Sequence, residues 1–137
     1  MPFTVERDEL SAPFYDAAAE GTLLIRHCRT CGAFYAPQHH ACTDGSDLEW
    51  VRAIGTGSLM SWIVDHAPGI HPLLAGPDGR TGASGMIELD EGPWINAALV
   101  SVDPSTLRAG DSMIVGFVKL GDDSETIPVF TKAGPIG

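Results

Sequence analysis

Three cysteines carry most of the chemistry this chain can offer. Cys28 and Cys31 stand with two residues between them in HCRTCG, Gly32 follows directly, and Cys42 comes eleven positions after Cys31. A CxxC turn brings two sulfurs together while backbone N–H groups point at them. The pair therefore reads as half of a tetrahedral metal site, with zinc as the ion. Cys42 opens what reads as a second turn, and three places after it, where a fourth cysteine belongs, stands Gly45. The fourth ligand is sought among oxygen and nitrogen donors: Asp44 or His40 first, then His39, Asp47 or a water. Two other readings stay open. The cysteines can be small buried apolar residues in a ribbon that has lost its metal. Alternatively, Cys28 and Cys31 form a redox pair, against which stands the missing βαβ context.

Outside this stretch, chemistry-bearing patterns are sparse. There is no GxSxG elbow, no HExxH and no GxxxxGK phosphate loop. Of the five histidines, His27 precedes the first knuckle, His39 and His40 are adjacent in a ribbon loop, His66 follows Asp65 at a strand end, and His71 lies in a long loop. No acid–base set converges, which favours an accessory role over catalysis by the chain alone.

The elements that position the cysteines read as three pieces. Residues 1–21 hold a short helix over Pro13–Glu20, with Pro at its first position, alanines within and Gly21 as its stop. Residues 22–50 form a ribbon, in which LLIRHC leads into the first knuckle and AFYAP leads away. Residues 51–137 give five strand signals: GSLMSWIVDHA, SGMIELD, PWINAALVSV, DSMIVGFVKL and TIPVFTK. A Gly/Pro-rich loop from Pro68 to Ala83 separates the first two, and a short turn or helix over Val102–Asp111 separates the third and fourth. Five strands with one helical turn suit an OB-type barrel and other small barrels alike. Trp62, Trp94 and Phe117 read as core or sheet-face residues. Phe14, Tyr15, Phe34 and Tyr35 sit on the small appendages, where little core exists to bury them. They are candidates for a subunit interface.

Composition narrows the partners. With 8 Lys+Arg against 18 Asp+Glu, net charge is −10, and the only lysines are Lys119 and Lys132. A phosphate-tracking groove needs a basic stripe, so nucleic-acid binding is disfavoured. No run approaches the roughly 20 apolar residues that span a bilayer. MPFTVERDELSAP lacks the basic and apolar regions of a signal peptide, so no membrane association and a cytoplasmic location are expected.

Taken in order, FYDAAAEGTLLIRHCRTCGAFYAP, HACTDGSDLEWVRAIGTGSLMSWIV and INAALVSVDPSTLRAGDSMIVGFVK resemble one family across almost the whole chain. It is the zinc-ribbon and OB-fold family called domain of unknown function 35, whose members associate with acyl-CoA enzymes. The resemblance implies a mainly β chain: an N-terminal helical segment, a rubredoxin-like zinc ribbon, then a five-stranded OB-fold barrel. It further implies an accessory subunit that completes a thiolase-superfamily enzyme: a thiolase, an acyltransferase, or an aldolase that cleaves steroid side-chain CoA thioesters. The catalytic residues would lie on the partner, and the assembly would be a hetero-oligomer that allows an acyl-CoA contact. By their own placement, Arg26 and Arg29, flanking the first knuckle, read as solvated or as contacts for an acidic partner surface or CoA phosphates. His66 reads as exposed or as a partner or CoA contact. The family's second knuckle is CPxCG, and here it reads Cys42-Thr43-Asp44-Gly45-Ser46. Two rivals remain: a nucleic-acid-binding OB module, and a stand-alone metal or redox protein acting on acyl thioesters.

Overall fold

The computed structural model describes residue 9 and residues 11–39, 41–65, 82–119, 121–122 and 124–133. His40, His66, His71 and most of the loop expected over Pro68 to Ala83 lie outside the described residues.

Helix α1 spans Ala12–Ala19, with Pro13 in its first turn. It stops at Gly21, whose φ of 83° an L side chain adopts only with strain. There the Gly21 and Thr22 amides take up the carbonyls of Ala18 and Ala17. Eight residues do not hold a helix in water, and α1 is held by packing on the barrel through buried Ala18 and half-buried Phe14.

The ribbon is a three-stranded antiparallel sheet, β1 (Leu24–His27) flanked by β2 (Phe34–Tyr35) and β3 (Glu49–Arg52). Its registers place Arg26 between Tyr35 and Trp50, and His27 between Phe34 and Glu49. Because side chains alternate along a strand, these triplets occupy opposite faces. Leu23, Ile25, Val51 and Ala53 join the barrel's core. The base of the ribbon is thus fused to the main fold, while its knuckle end has only a small cluster of Cys28, Cys42, Leu48 and Tyr35.

Strands β4 (Thr56–Asp65), β5 (Gly82–Leu89), β6 (Trp94–Leu99), β7 (Ser112–Lys119) and β8 (Thr126–Lys132) close in the order β4-β5-β6-β8-β7. All pairs are antiparallel except β6 and β8, which meet in parallel at Leu99 and Phe130. This is the expected OB-fold barrel, with the turn before β7 as one 3-10 turn, Pro104–Thr106, capped by Asp103. Alternation sends Leu59, Ile87, Leu89, Leu99, Met113 and Phe130 inward, where all are buried. Trp62 and Phe117 pack against this core, whereas Trp94 faces outward.

Gly85 stands across from Trp62 on the inner wall. A Cβ there would lie 2.9 Å from both the Leu59 Cδ1 and the Ser61 carbonyl oxygen. Because one of those neighbours is backbone, Gly85→Ala is expected to cost about 2 kcal/mol by overpacking, measured as a lower urea midpoint at unchanged m-value.

The outer face of β4, β5 and β6 is laid out in three cross-strand rows: Ser58–Glu88–Trp94, Ser61–Met86–Asn96 and Ile63–Ser84–Ala98. Glu88 is the one charged residue of these nine, and its carboxylate accepts a 2.9 Å hydrogen bond from the Trp94 indole. Ile63 is 69% exposed and Trp94 48%. No helix among the described residues is long and apolar enough to cross a membrane.

Candidate metal centre

Both knuckles are built from backbone turns. The Gly32 amide donates to the Cys28 carbonyl at 2.8 Å, and the Gly45 amide donates to the Cys42 carbonyl at 2.9 Å. Each turn closes on a glycine at positive φ, 79° at Gly32 and 87° at Gly45. The first turn spans four residues from its leading cysteine and the second only three. That shortening brings the Asp44 carboxylate among the sulfurs. Gly45 is the turn-former of the second knuckle, and Asp44 is the residue whose side chain reaches inward.

The Sγ atoms of Cys28, Cys31 and Cys42 and a carboxylate oxygen of Asp44 all lie within 4.8 Å of one another. Cys31 Sγ and Cys42 Sγ are 3.5 Å apart, and Cys28 Sγ lies 4.0 Å from Asp44 Oδ2. Ligands on a tetrahedral ion with metal–sulfur bonds of about 2.3 Å are separated by about 3.8 Å, so the donors stand at the spacing such an ion requires. All three cysteines are free thiols.

The surroundings favour the anionic forms of Cys42 and Asp44. At Cys31 the Ala33 amide lowers the thiol, but contacts with the Cys42 and Cys28 thiols raise it overall. The Asp44 amide and then the Tyr35 hydroxyl, 3.2 Å from Cys42 Sγ, hold the Cys42 thiol below its ordinary pKa. The same contact with Cys42 raises the Tyr35 hydroxyl, so the proton stays on oxygen. Asp44 Oδ1 accepts from the Ser46 amide at 2.8 Å, which lowers its carboxyl and fixes its rotamer with Oδ2 turned to Cys28. Three thiolates and one carboxylate form a donor set that suits a borderline-soft divalent cation. A bound ion would tie the two knuckles together and, with four protein ligands, leave no open position for substrate.

The other candidates fall in different places. His39 is exposed, with its ring 5.4 Å from that of Tyr35, and Asp47 is paired through the bridge Ala41–Asp47. Arg29 is exposed and its Nε donates to Glu49 Oε1 at 2.6 Å. Glu49 Oε2 pairs with His27 Nδ1 at 2.6 Å on the face opposite Arg26. Phe14 and Tyr15 meet edge to face at 5.3 Å, and Phe14 lies 6.2 Å from the Trp50 ring. With Leu23, Pro37 and Asn96 they line a cavity of about 430 Å³ between helix, ribbon and β6. Phe34 is 40% exposed and rests on His27, while Tyr35 turns its hydroxyl to Cys42.

Two features escaped the sequence reading, the His27–Glu49–Arg29 cluster and the burial of Arg26 over Trp50. Strand alternation hints at both once β1 and β3 are aligned, but that register is not written in either strand alone. His27 and then Arg29 hold Glu49 below its ordinary value of 4.5. This contribution to stability is present above about pH 4.5 and is lost as pH falls through the lower folded-state value. In urea unfolding between about pH 5 and pH 3, Glu49→Gln is expected to show a shallower acid limb than the parent.

A family model described as "ChsH2, rubredoxin-like zinc ribbon domain" matches residues 16–49, and one described as "ChsH2, C-terminal OB-fold domain" matches residues 50–118. The chain belongs to the ChsH2 family. Its fold is similar to a chain of the solved "Ltp2-ChsH2(DUF35) aldolase", at 30% identity and a TM-score of 0.77, covering 95% of this chain and 98% of that one. A DUF35 protein of unknown function from Sulfolobus solfataricus shares the fold at 9% identity and a TM-score of 0.57, over 90% of this chain and 85% of that one. Among curated proteins, the "Probable enoyl-CoA hydratase alpha subunit" of Thermomonospora curvata is 30% identical over 133 residues. The match covers 96% of this chain and 39% of that protein, so the ChsH2-family chain spans about two-fifths of that relative's length.

Proposed function

We propose that this ChsH2-family chain is a non-catalytic subunit of an acyl-CoA enzyme of the thiolase superfamily, acting as an aldolase, thiolase or acyltransferase on CoA thioesters. The observation that carries this reading is the match, over nearly the full length of both chains, to the ChsH2 component of a structure named as an Ltp2–ChsH2 aldolase. The relative named as an alpha subunit supports the same kind of role. In this reading zinc sits on Cys28, Cys31, Cys42 and Asp44, holds the ribbon's shape and does no chemistry. The partner supplies the nucleophile and base.

The molecule's own features support an accessory role. His27 is oriented by Glu49, as a general base would be, but its other ring nitrogen has no hydrogen-bond partner among the described residues. An activated nucleophile would have to be that partner. The outer face of β4–β6 is nearly free of charge in a chain of net charge −10, and depletion of charge marks interface cores. That face includes the strands on which OB folds bind oligonucleotides, and none of its nine residues is Lys or Arg. This weighs against the nucleic-acid alternative, for which a low-salt gel shift is expected to show no retarded band.

Co-expression with a thiolase-superfamily protein tests the proposal. A complex that co-elutes, with turnover of a CoA thioester only when both chains are present, is the expected result. A ChsH2 chain that elutes alone while the other protein is fully active would sink it.

A further inference from the structure

Arg26 is 7% exposed, yet no carboxylate lies within ion-pair distance of it among the described residues. Its Nε has no hydrogen-bond partner, and its Nη1 makes one long bond, 3.4 Å, to the Leu48 carbonyl. The guanidinium carbon lies over Trp50, 3.6 Å from the ring centroid. Stacking on an aromatic ring compensates part of the lost hydration, but a buried cation without an anion is costly. The nearest strand carboxylate, Glu49, points to the other face of the sheet and is held by His27 and Arg29.

What lies on the face of Arg26 is the metal centre. Tyr35, its register partner, has its hydroxyl on Cys42 Sγ, and Cys28 stands two residues along the same strand direction. Leu48, whose carbonyl Arg26 contacts, packs against Cys28 and Cys42. Three thiolates and a carboxylate around a divalent cation carry four negative charges against two positive, so the loaded centre is an anion. We infer that Arg26 is the counter-charge of that centre, a positioning residue that raises metal affinity through its buried positive charge. The burial of Arg26 without an ion-pair partner then has a reason, since the Asp44 carboxylate gives the centre one negative charge without metal and the loaded centre carries a net negative charge of two. Arginine suits the place better than lysine because it is less strongly hydrated and its guanidinium can stack on the Trp50 ring it lies over.

The inference rests on the metal reading above, and one experiment separates the two. Zinc affinity is measured by competition with a chromophoric chelator for the parent, Arg26→Met and Arg26→Lys, with urea midpoints of the metal-free proteins alongside. Arg26→Met is expected to weaken zinc roughly ten- to a hundredfold, the range seen when outer-shell partners of metal ligands are removed. Arg26→Lys, which keeps the charge, should recover most of that loss. The metal-free midpoint of Arg26→Met should be unchanged or higher, since an unpaired buried charge has been removed. The cobalt(II) spectrum should keep the bands of the parent, which a distorted ligand set would not. Should Arg26→Met not fold, Arg26→Gln carries the comparison. Equal zinc affinity in Arg26→Met and the parent would overturn the inference, as would an Arg26→Lys protein as weak as Arg26→Met. A parent chain that binds no zinc overturns the metal reading itself.

Discussion

Placing cysteine at position 44 is expected to raise the affinity of this chain for zinc, and placing it at position 45 is not. The two positions are adjacent, and a family-wide motif would choose the second. The geometry chooses the first: Asp44 already directs an oxygen into the group of sulfurs, whereas Gly45 closes the turn at positive φ. A side chain at 45 is strained in that conformation whatever space surrounds it. Asp44→Cys exchanges a hard oxygen for a soft thiolate at the same corner, and is expected to tighten zinc by about tenfold or more. Asp44→Ala should weaken it by at least about tenfold, and Cys28→Ser, at the most buried corner, should abolish stoichiometric binding. Elemental analysis and chelator competition read all of these. The structural consequence follows from the packing. The knuckle end holds only Cys28, Cys42, Leu48 and Tyr35, while the base of the ribbon belongs to the barrel core. Cys28→Ser should therefore lose hydrogen-exchange protection over residues 28–48 while the barrel unfolds cooperatively as before. A Cys28→Ser chain with full zinc content, or a Gly45→Cys chain that binds tighter than Asp44→Cys, would defeat the assignment.

What could be read in the sequence followed from local physics. Period-two alternation and Gly/Pro punctuation marked all five barrel strands within about three residues, and CxxCG marked the first knuckle. That Asp44 reaches the sulfurs was not legible, because it depends on a turn being one residue shorter, and His40, the other candidate, lies outside the described residues. Only the hydrogen bond from the Gly45 amide to the Cys42 carbonyl reveals the shorter turn. The fate of the aromatic residues was equally hidden. Phe14, Tyr15, Phe34 and Tyr35 look alike as exposed rings on small appendages. In the fold Tyr35 turns its hydroxyl to Cys42 Sγ, Phe14 and Tyr15 wall a cavity, and Phe34 remains 40% exposed. Those differences depend on how ribbon and barrel dock, a long-range outcome that strand propensity does not carry. The outward face of β4–β6 was masked for a related reason. Its residues are spread over three strands, and they become one uncharged surface only when the registers are known.

That surface supports the second large effect. Ile63→Glu is expected to abolish assembly with the partner subunit while leaving the barrel's stability within about 0.5 kcal/mol. Ile63 sits in the row Ile63–Ser84–Ala98, beside Ser61–Met86–Asn96, so the small side chains of Ser61, Ser84 and Ala98 leave it as a large exposed apolar residue. Small neighbours let a partner approach closely, and a carboxylate brought there would be buried without a counter-charge in a chain already at −10. A hot-spot loss of at least about 2 kcal/mol, on the order of thirtyfold in Kd, is the minimum expected. Because the residue is 69% exposed in the free chain, its replacement removes little packing, so a fall in assembly cannot be charged to misfolding. Sedimentation or calorimetric titration with the partner, beside a urea unfolding curve of the variant alone, separates the two effects. Unchanged affinity would move the interface off this face. The aromatic side of the ribbon, with exposed Phe34 resting on His27, would then be the surface to charge next.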